Sequence, residues 1–249
     1  MPDLTPFDYG IIAAAMLLAG AIKGLIGFGL PLVAVSLLSS FLDVSLSLSL
    51  IILPIVVTNF WQGLTGGRVK AALRRFWGLL ITLTLGIWIG SRVVTTVNPD
   101  VVLLILGSVV VLYSLLELTA FRIAVAPQHE RAGGLIAGLV GGLIGGMTTS
   151  YGPFLAAYMS ALKMPKDDFV GSAGVIWFWA SLSLLAAYGS SHILTYERAL
   201  LSAGCVLPAL LGLQLGSLAR RRLDEALFRR LLLIALIVTG LNLLRRGLM

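Results

Sequence analysis

Residues 23 to 31 read KGLIGFGLP, a lysine, three glycines and a proline inside one of the most apolar stretches of the chain. A charge at the centre of a bilayer costs about 2.5 to 3.5 kcal/mol on insertion scales, so Lys23 calls for a purpose. Glycine and proline interrupt helices and free backbone N–H and C=O groups. N–H groups at the start of a half-helix favour an anion, and here that half-helix is expected to start near Leu30, behind Gly27 and Gly29. A fixed ammonium beside them strengthens the preference. The plainer use of such a lysine is to snorkel to the interface or to lie neutralised in an apolar pocket. Intramembrane ionisable residues are functional by default, which favours the anion site.

A second interruption, TTSYGP at 148–153, gathers the hydroxyls of Thr148, Thr149, Ser150 and Tyr151. Hydroxyls and backbone amides can hold oxyanion oxygens without a formal charge. Ser and Thr have an equal claim to another role there, satisfying backbone groups freed by the break. Asn59 and Gln62, in TNFWQG at 58–63, are three residues apart and share a helix face. They either line a polar path or make the interhelical hydrogen bonds usual for amides in membranes. Trp61 suits an aromatic belt. Glu117 near Arg122 reads as an interfacial ion pair, His192 as a loop residue that can titrate, and Asp167 and Asp168 as a solvated turn.

The elements that must position these residues follow from composition. Of 249 residues, 58% are hydrophobic and 12% charged, with a mean hydropathy of +1.00. A soluble domain carries about 25% charged residues. The chain is therefore an all-α polytopic membrane protein. MPDLTPFDYG at the start has no Lys or Arg, so it lacks the positive region of a cleaved signal and the first apolar run is expected to stay. The single cysteine, Cys205, excludes an intrachain disulfide framework and a Cys-based metal cluster; a small buried side chain is its expected role. A net charge of +7, with basic residues in short clusters between spans, points to the positive-inside rule rather than to nucleic acid.

The sequence repeats. GLIG at 24–27 recurs at 142–145, each followed by a proline, Pro31 and Pro153, and GIWIGS at 86–91 matches GLQLGS at 212–217. Two halves, 1–122 and 123–249, are the economical explanation. Each opens with an apolar region too long for one span. Residues 8–41 as a single helix would run about 51 Å and 132–162 about 46 Å, against a hydrocarbon core of about 30 Å. Both therefore read as two shorter helices folded back, re-entrant or as two thin passes. Counting each as one crossing divides Lys and Arg 9 against 8 between the faces; counting each as a hairpin gives 13 against 4, with Lys23 inside the membrane. The second division fits the positive-inside rule and puts both termini outside. Three full crossings then follow each hairpin, at 45–66, 72–95 and 100–121, then at 168–190, 196–218 and 226–244. An odd repeat is inverted relative to its copy, a recurrent transporter design with substrate at the repeat interface. The pairs Gly86 with Gly90 and Gly212 with Gly216 match small-residue packing motifs.

Chemistry of other kinds finds no support. The chain has no GxxxxGK[ST] loop, HExxH or CxxC, and no GxSxG elbow, so an ATP-driven pump, a zinc site and a serine hydrolase lack motifs. Few His and intramembrane acids argue against acid–base catalysis. No cofactor is expected.

At these residues the chain resembles the TauE/SafE family of sulfite exporters and related anion permeases, over nearly its whole length. GLIGFGLP and GLIGGMTTSYGP open the two halves, and NFWQGLTGG with the basic RRF at 74–76 follows the first hairpin. Many members carry a GxGGG run at the break, where this chain has Gly27, Gly29 and Pro31, then Gly145 and Gly146 before a polar insert. The resemblance implies export or uptake of small sulfur-containing or organic anions, such as sulfite or sulfonates, across a bacterial inner membrane. The residues themselves suggest a secondary transporter with Lys23, Gly27, Gly29, Asn59, Gln62, Thr148, Thr149, Ser150 and Tyr151 as the candidate substrate site. The alternatives are an anion-selective channel and, from another class, an intramembrane enzyme.

Overall fold

A computed structural model describes residues 4–65, 67, 69–119, 125–219 and 225–249, which are mostly helical with no strand among them. Of the cations used to orient the chain, Arg68, Arg122, Arg220, Arg221 and Arg222 lie outside the described residues.

Both apolar regions are broken helices, with unequal arms. The first runs as α1 (Pro6–Ile26) and α2 (Leu30–Leu38). Thr5 caps α1, accepting from the Asp8 N–H while its own N–H donates to the Asp8 carboxylate at 2.8 Å. The second region appears later as α7 (Glu130–Thr148) and α8 (Gly152–Ala161). The 21 residues of α1 extend about 32 Å, enough for the hydrocarbon core, whereas the 9 of α2 cover about 14 Å. The expected pair of short helices is thus one long and one short arm. Seven helical segments of the described chain are long and apolar enough to cross a membrane, α1 and α7 among them.

The first crossing, expected as one helix over 45–66, is α3 (Val44–Leu50) and α4 (Ile52–Thr65), parted at Ile51. Pro54 is the cause. It has no N–H to give the Leu50 carbonyl four residues back, and its ring crowds that carbonyl. The Ser202 hydroxyl repairs the gap, donating to Leu50 O at 2.8 Å and accepting from the Leu53 N–H at 3.1 Å. The remaining crossings fall close to expectation as α5 (Val69–Thr96), α6 (Pro99–Leu118), α9 (Lys166–Ser190), α10 (Tyr196–Ala219) and α11 (Glu225–Leu248). Helix α5 leaves helical geometry at Phe76 (φ −106°, ψ 16°).

The helices form two compact units. One takes in the chain to Pro54, residues 97–121 and residues from Ile193 on. In it α1 runs parallel to α10, with Gly20 and Gly24 against the Ala209 and Leu213 carbonyls, and Gly212 and Gly216 against those of Leu17 and Ala21. Helices α6 and α11 run antiparallel, Gly107 facing Gly240 and Gly247 facing Asp100. The other unit holds residues 55–96 and 122–192. There α5 and α7 run parallel through Gly86 and Gly90 on one side and Gly138, Gly142 and Gly146 on the other. Helices α4 and α9 are antiparallel, Gly63 meeting Gly174 and Asn59 meeting Trp177. The repeated glycines therefore serve close backbone approach. Each unit draws elements from both halves of the sequence.

Candidate functional site

In the first unit, Lys23 sits in the last turn of α1 and is 5% exposed. The helix stops because Gly27 turns left-handed (φ 94°) and sends its N–H back to the Lys23 carbonyl at 2.7 Å. Gly29 is left-handed as well (φ 100°). An added Cβ would meet nothing within 4 Å at Gly27 and only Ile22 at Gly29, so backbone angle rather than space requires both glycines. Helix α2 then starts at Leu30, its first intrahelical bond running from Val33 N–H to Gly29 O. The N–H groups of Leu30 and Leu32 precede any helical acceptor, and Pro31 contributes none. Lys23 and the start of α2 thus belong to one hairpin, as the sequence led us to expect.

In the second unit, α7 ends at Thr148, and Thr149 adopts a left-handed conformation (φ 59°) that strains a β-branched residue. The hydroxyls of this break turn toward carbonyls. Thr148 donates to Ile144 O at 2.8 Å, and Thr149 and Ser150 both donate to Thr148 O, at 2.6 and 3.1 Å. Their protons are engaged by the interrupted backbone, the second of the two roles open to them. All three residues are fully buried.

Tyr151 takes another direction. It lies under α7, where a Cβ at Gly145 would come within 2.6 Å of its own Cβ. Its hydroxyl accepts from Asn59 Nδ2 at 3.2 Å and donates to the Trp177 carbonyl at 3.4 Å; Asn59 Nδ2 also reaches that carbonyl, at 3.1 Å. Asn59 and Tyr151 are both buried, so the unit holds a polar cluster inside an apolar wall. Gln62 is half-buried on the same helix as Asn59, and its own carbonyl faces Gly174. Tyr188 adds a hydroxyl to the Gly146 carbonyl at 3.0 Å. The mouth of this hairpin is held by a two-pronged ion pair, Arg75 Nε to Glu130 Oε1 at 2.6 Å and Nη2 to Oε2 at 3.1 Å, with Tyr158 donating to Glu130 O at 2.7 Å.

Sequence reasoning passed over Trp177 and Tyr188. The signal for Trp177 was present: NFW at 59–61 lies 118 residues before WFW at 177–179, the spacing that separates the two GLIG segments. Phe60 and Phe178, one step along, have ring centroids 5.3 Å apart. Glu117 is half-buried, and its expected partner Arg122 lies outside the described residues. His192 is an exposed turn residue with φ 57°. Cys205 is buried, and among the described residues no three His, Cys, Asp or Glu side chains group closely enough to hold a metal.

The family described as sulfite exporter TauE/SafE matches residues 12–243. No curated protein and no solved structure matches the chain.

Proposed function

The chain belongs to the sulfite exporter TauE/SafE family, a family of membrane transporters, and from that premise we propose that it exports a small sulfur-containing or organic oxyanion, such as sulfite or an organosulfonate, by alternating access. One observation carries the reading. A buried lysine stands in the last turn before a double-glycine break, in the hairpin whose second arm starts without a side-chain cap on its first N–H groups. Ammonium, amide dipoles and a water-poor setting together favour an anion over a cation or a neutral solute. Asn59, Gln62 and Tyr151, with the buried Thr148, Thr149 and Ser150, supply the neutral donors and lone pairs of the second unit.

Alternating access draws support from helix direction. The last helix of each half, α6 and α11, and the first unbroken stretch after each hairpin, α4 and α9, pair antiparallel with their counterparts. Copies related by inversion in the membrane plane produce that arrangement. The charge division then puts the basic loops in the cytoplasm and both termini in the periplasm of a bacterial inner membrane.

The test is binding of sulfite, sulfoacetate, taurine and chloride to purified protein, wild type beside Lys23→Gln, by thermal shift and calorimetry. One oxyanion stabilises the wild type, and the substitution removes the shift. Binding that survives Lys23→Gln unaltered overturns the assignment of Lys23. In proteoliposomes a transporter accumulates the anion against its gradient, which a channel does not.

A further inference from the structure

Several of the described arginines are engaged by the protein itself, Arg245 Nη2 for one donating to Asn242 Oδ1 at 3.4 Å. Arg75 pairs with Glu130, Arg198 binds Ser45 Oγ and the Ile193 carbonyl, and Arg246 caps the Ser39 carbonyl at the end of α2. Arg92 differs. Only its carbonyl is used, accepting from the Thr95 and Thr96 hydroxyls at 2.8 and 3.2 Å. Its guanidinium makes no hydrogen bond or ion pair with any described residue, although it is exposed one turn from the end of a membrane-spanning helix.

Beside it is an open groove of about 420 Å³ lined by Trp88, Ile89, Arg92, Val93 and Thr96. These positions recur along one face of α5. The opposite side of α5 is occupied, since Gly86 and Gly90 meet α7 and Thr84 accepts from the Trp179 indole at 3.0 Å. The groove therefore lies on the outward face, with Ile89 52% exposed. Its wall is apolar along the direction of membrane depth. Its single charge stands about 6 Å from the helix end, at the level of headgroups rather than of chain ends.

We propose that this groove binds one anionic phospholipid, with the phosphate on the Arg92 guanidinium and an acyl chain along Trp88, Ile89 and Val93. The charge at one end and apolar wall at the other match an amphiphile of that orientation. A guanidinium fork suits a phosphate's oxygens, and its weak hydration lowers the cost of bringing the two together. One basic residue at an anionic lipid surface is worth about 1 kcal/mol, or roughly a fivefold preference over a zwitterionic lipid. The site is independent of the transported anion, which is small and has no chain for the apolar wall.

The experiment follows tryptophan quenching in the purified full chain by phosphatidylglycerol and phosphatidylcholine brominated on the acyl chain. The chain has five tryptophans, so the Trp88 signal is the difference between wild type and Trp88→Phe. That signal is half-quenched at about a fivefold lower mole fraction of phosphatidylglycerol than of phosphatidylcholine. Arg92→Gln brings the two lipids level, and Arg92→Lys keeps part of the difference. Arg92 is on the surface, so both variants keep the wild-type melting temperature. Equal quenching in the wild type, or a preference that survives Arg92→Gln, overturns the site. So does an absence of Trp88 quenching by either lipid in a chain that runs as a dimer, which places a second copy on this face.

Discussion

Thr149 occupies in the second hairpin the position that Gly27 holds in the first, the left-handed residue that ends the long arm. Glycine takes that conformation at no steric cost, whereas for other L-residues it costs about 1–2 kcal/mol. Strain of this size persists where the surroundings impose it, often at a site of function. Thr149→Gly is expected to raise stability by about 1 kcal/mol in detergent unfolding, because the Thr149 hydroxyl serves only the Thr148 carbonyl, which Ser150 also serves. Unchanged anion affinity alongside the gain marks the hydroxyl as a backbone partner, and a loss of affinity places it on the substrate. A drop in stability overturns the strain argument. Residue types told us that 148–151 would be polar at a break; they could not tell which way the protons point. That direction depends on which carbonyls the break frees, and hence on the backbone angle at Thr149.

The breaks themselves were legible at the scale of elements only where glycine and proline cluster. KGLIGFGLP and TTSYGP announced both hairpins, but a lone Pro54 did not announce the break at Ile51. Its consequence depends on a serine that arrives from α10, 148 residues later in the chain. The coupling of the two is testable. Ser202→Ala leaves the Leu50 carbonyl and Leu53 N–H without the hydroxyl in an apolar setting, at a cost of about 1–3 kcal/mol per group. Pro54→Ala restores an N–H that can reach Leu50 O and lets α3 and α4 join. The double variant is therefore expected to be more stable than the sum of the single effects by about 1 kcal/mol or more. Strict additivity in unfolding measurements sinks the repair role of Ser202. The same contrast explains why crossing ends were readable to within a few residues while the packing partners were not. Caps and prolines act locally, but whether Gly86 faces α7 or a lipid is decided by another element.

At the scale of the whole molecule, two short segments recur at similar offsets, 118 and 126, and suggest two related halves. The exchange between halves was not legible. Helix α1 of the first half packs on α10 of the second, and α7 of the second on α5 of the first; no local pattern in either strand of sequence names its partner. If the halves are inverted, each glycine seam joins helices that run the same way in the membrane, which the parallel α1–α10 and α5–α7 pairs do. Helices in corresponding places then run opposite ways, as the antiparallel α6–α11 and α4–α9 pairs do. Orientation is the remaining variable, and for it we propose the one that the positive-inside rule favours. Thirteen of the 18 Lys and Arg residues gather on one face under this arrangement, and the positive-inside rule assigns that face to the cytoplasm. In a Cys205→Ser background, cysteines introduced at Arg74 and Arg221 are expected to resist an impermeant maleimide in intact cells and to react after permeabilisation. A cysteine at Tyr196, at the exposed start of α10, reacts before it. If 74 and 221 label from opposite sides, the halves run in the same direction and the inverted arrangement is lost, together with the alternating access that rests on it.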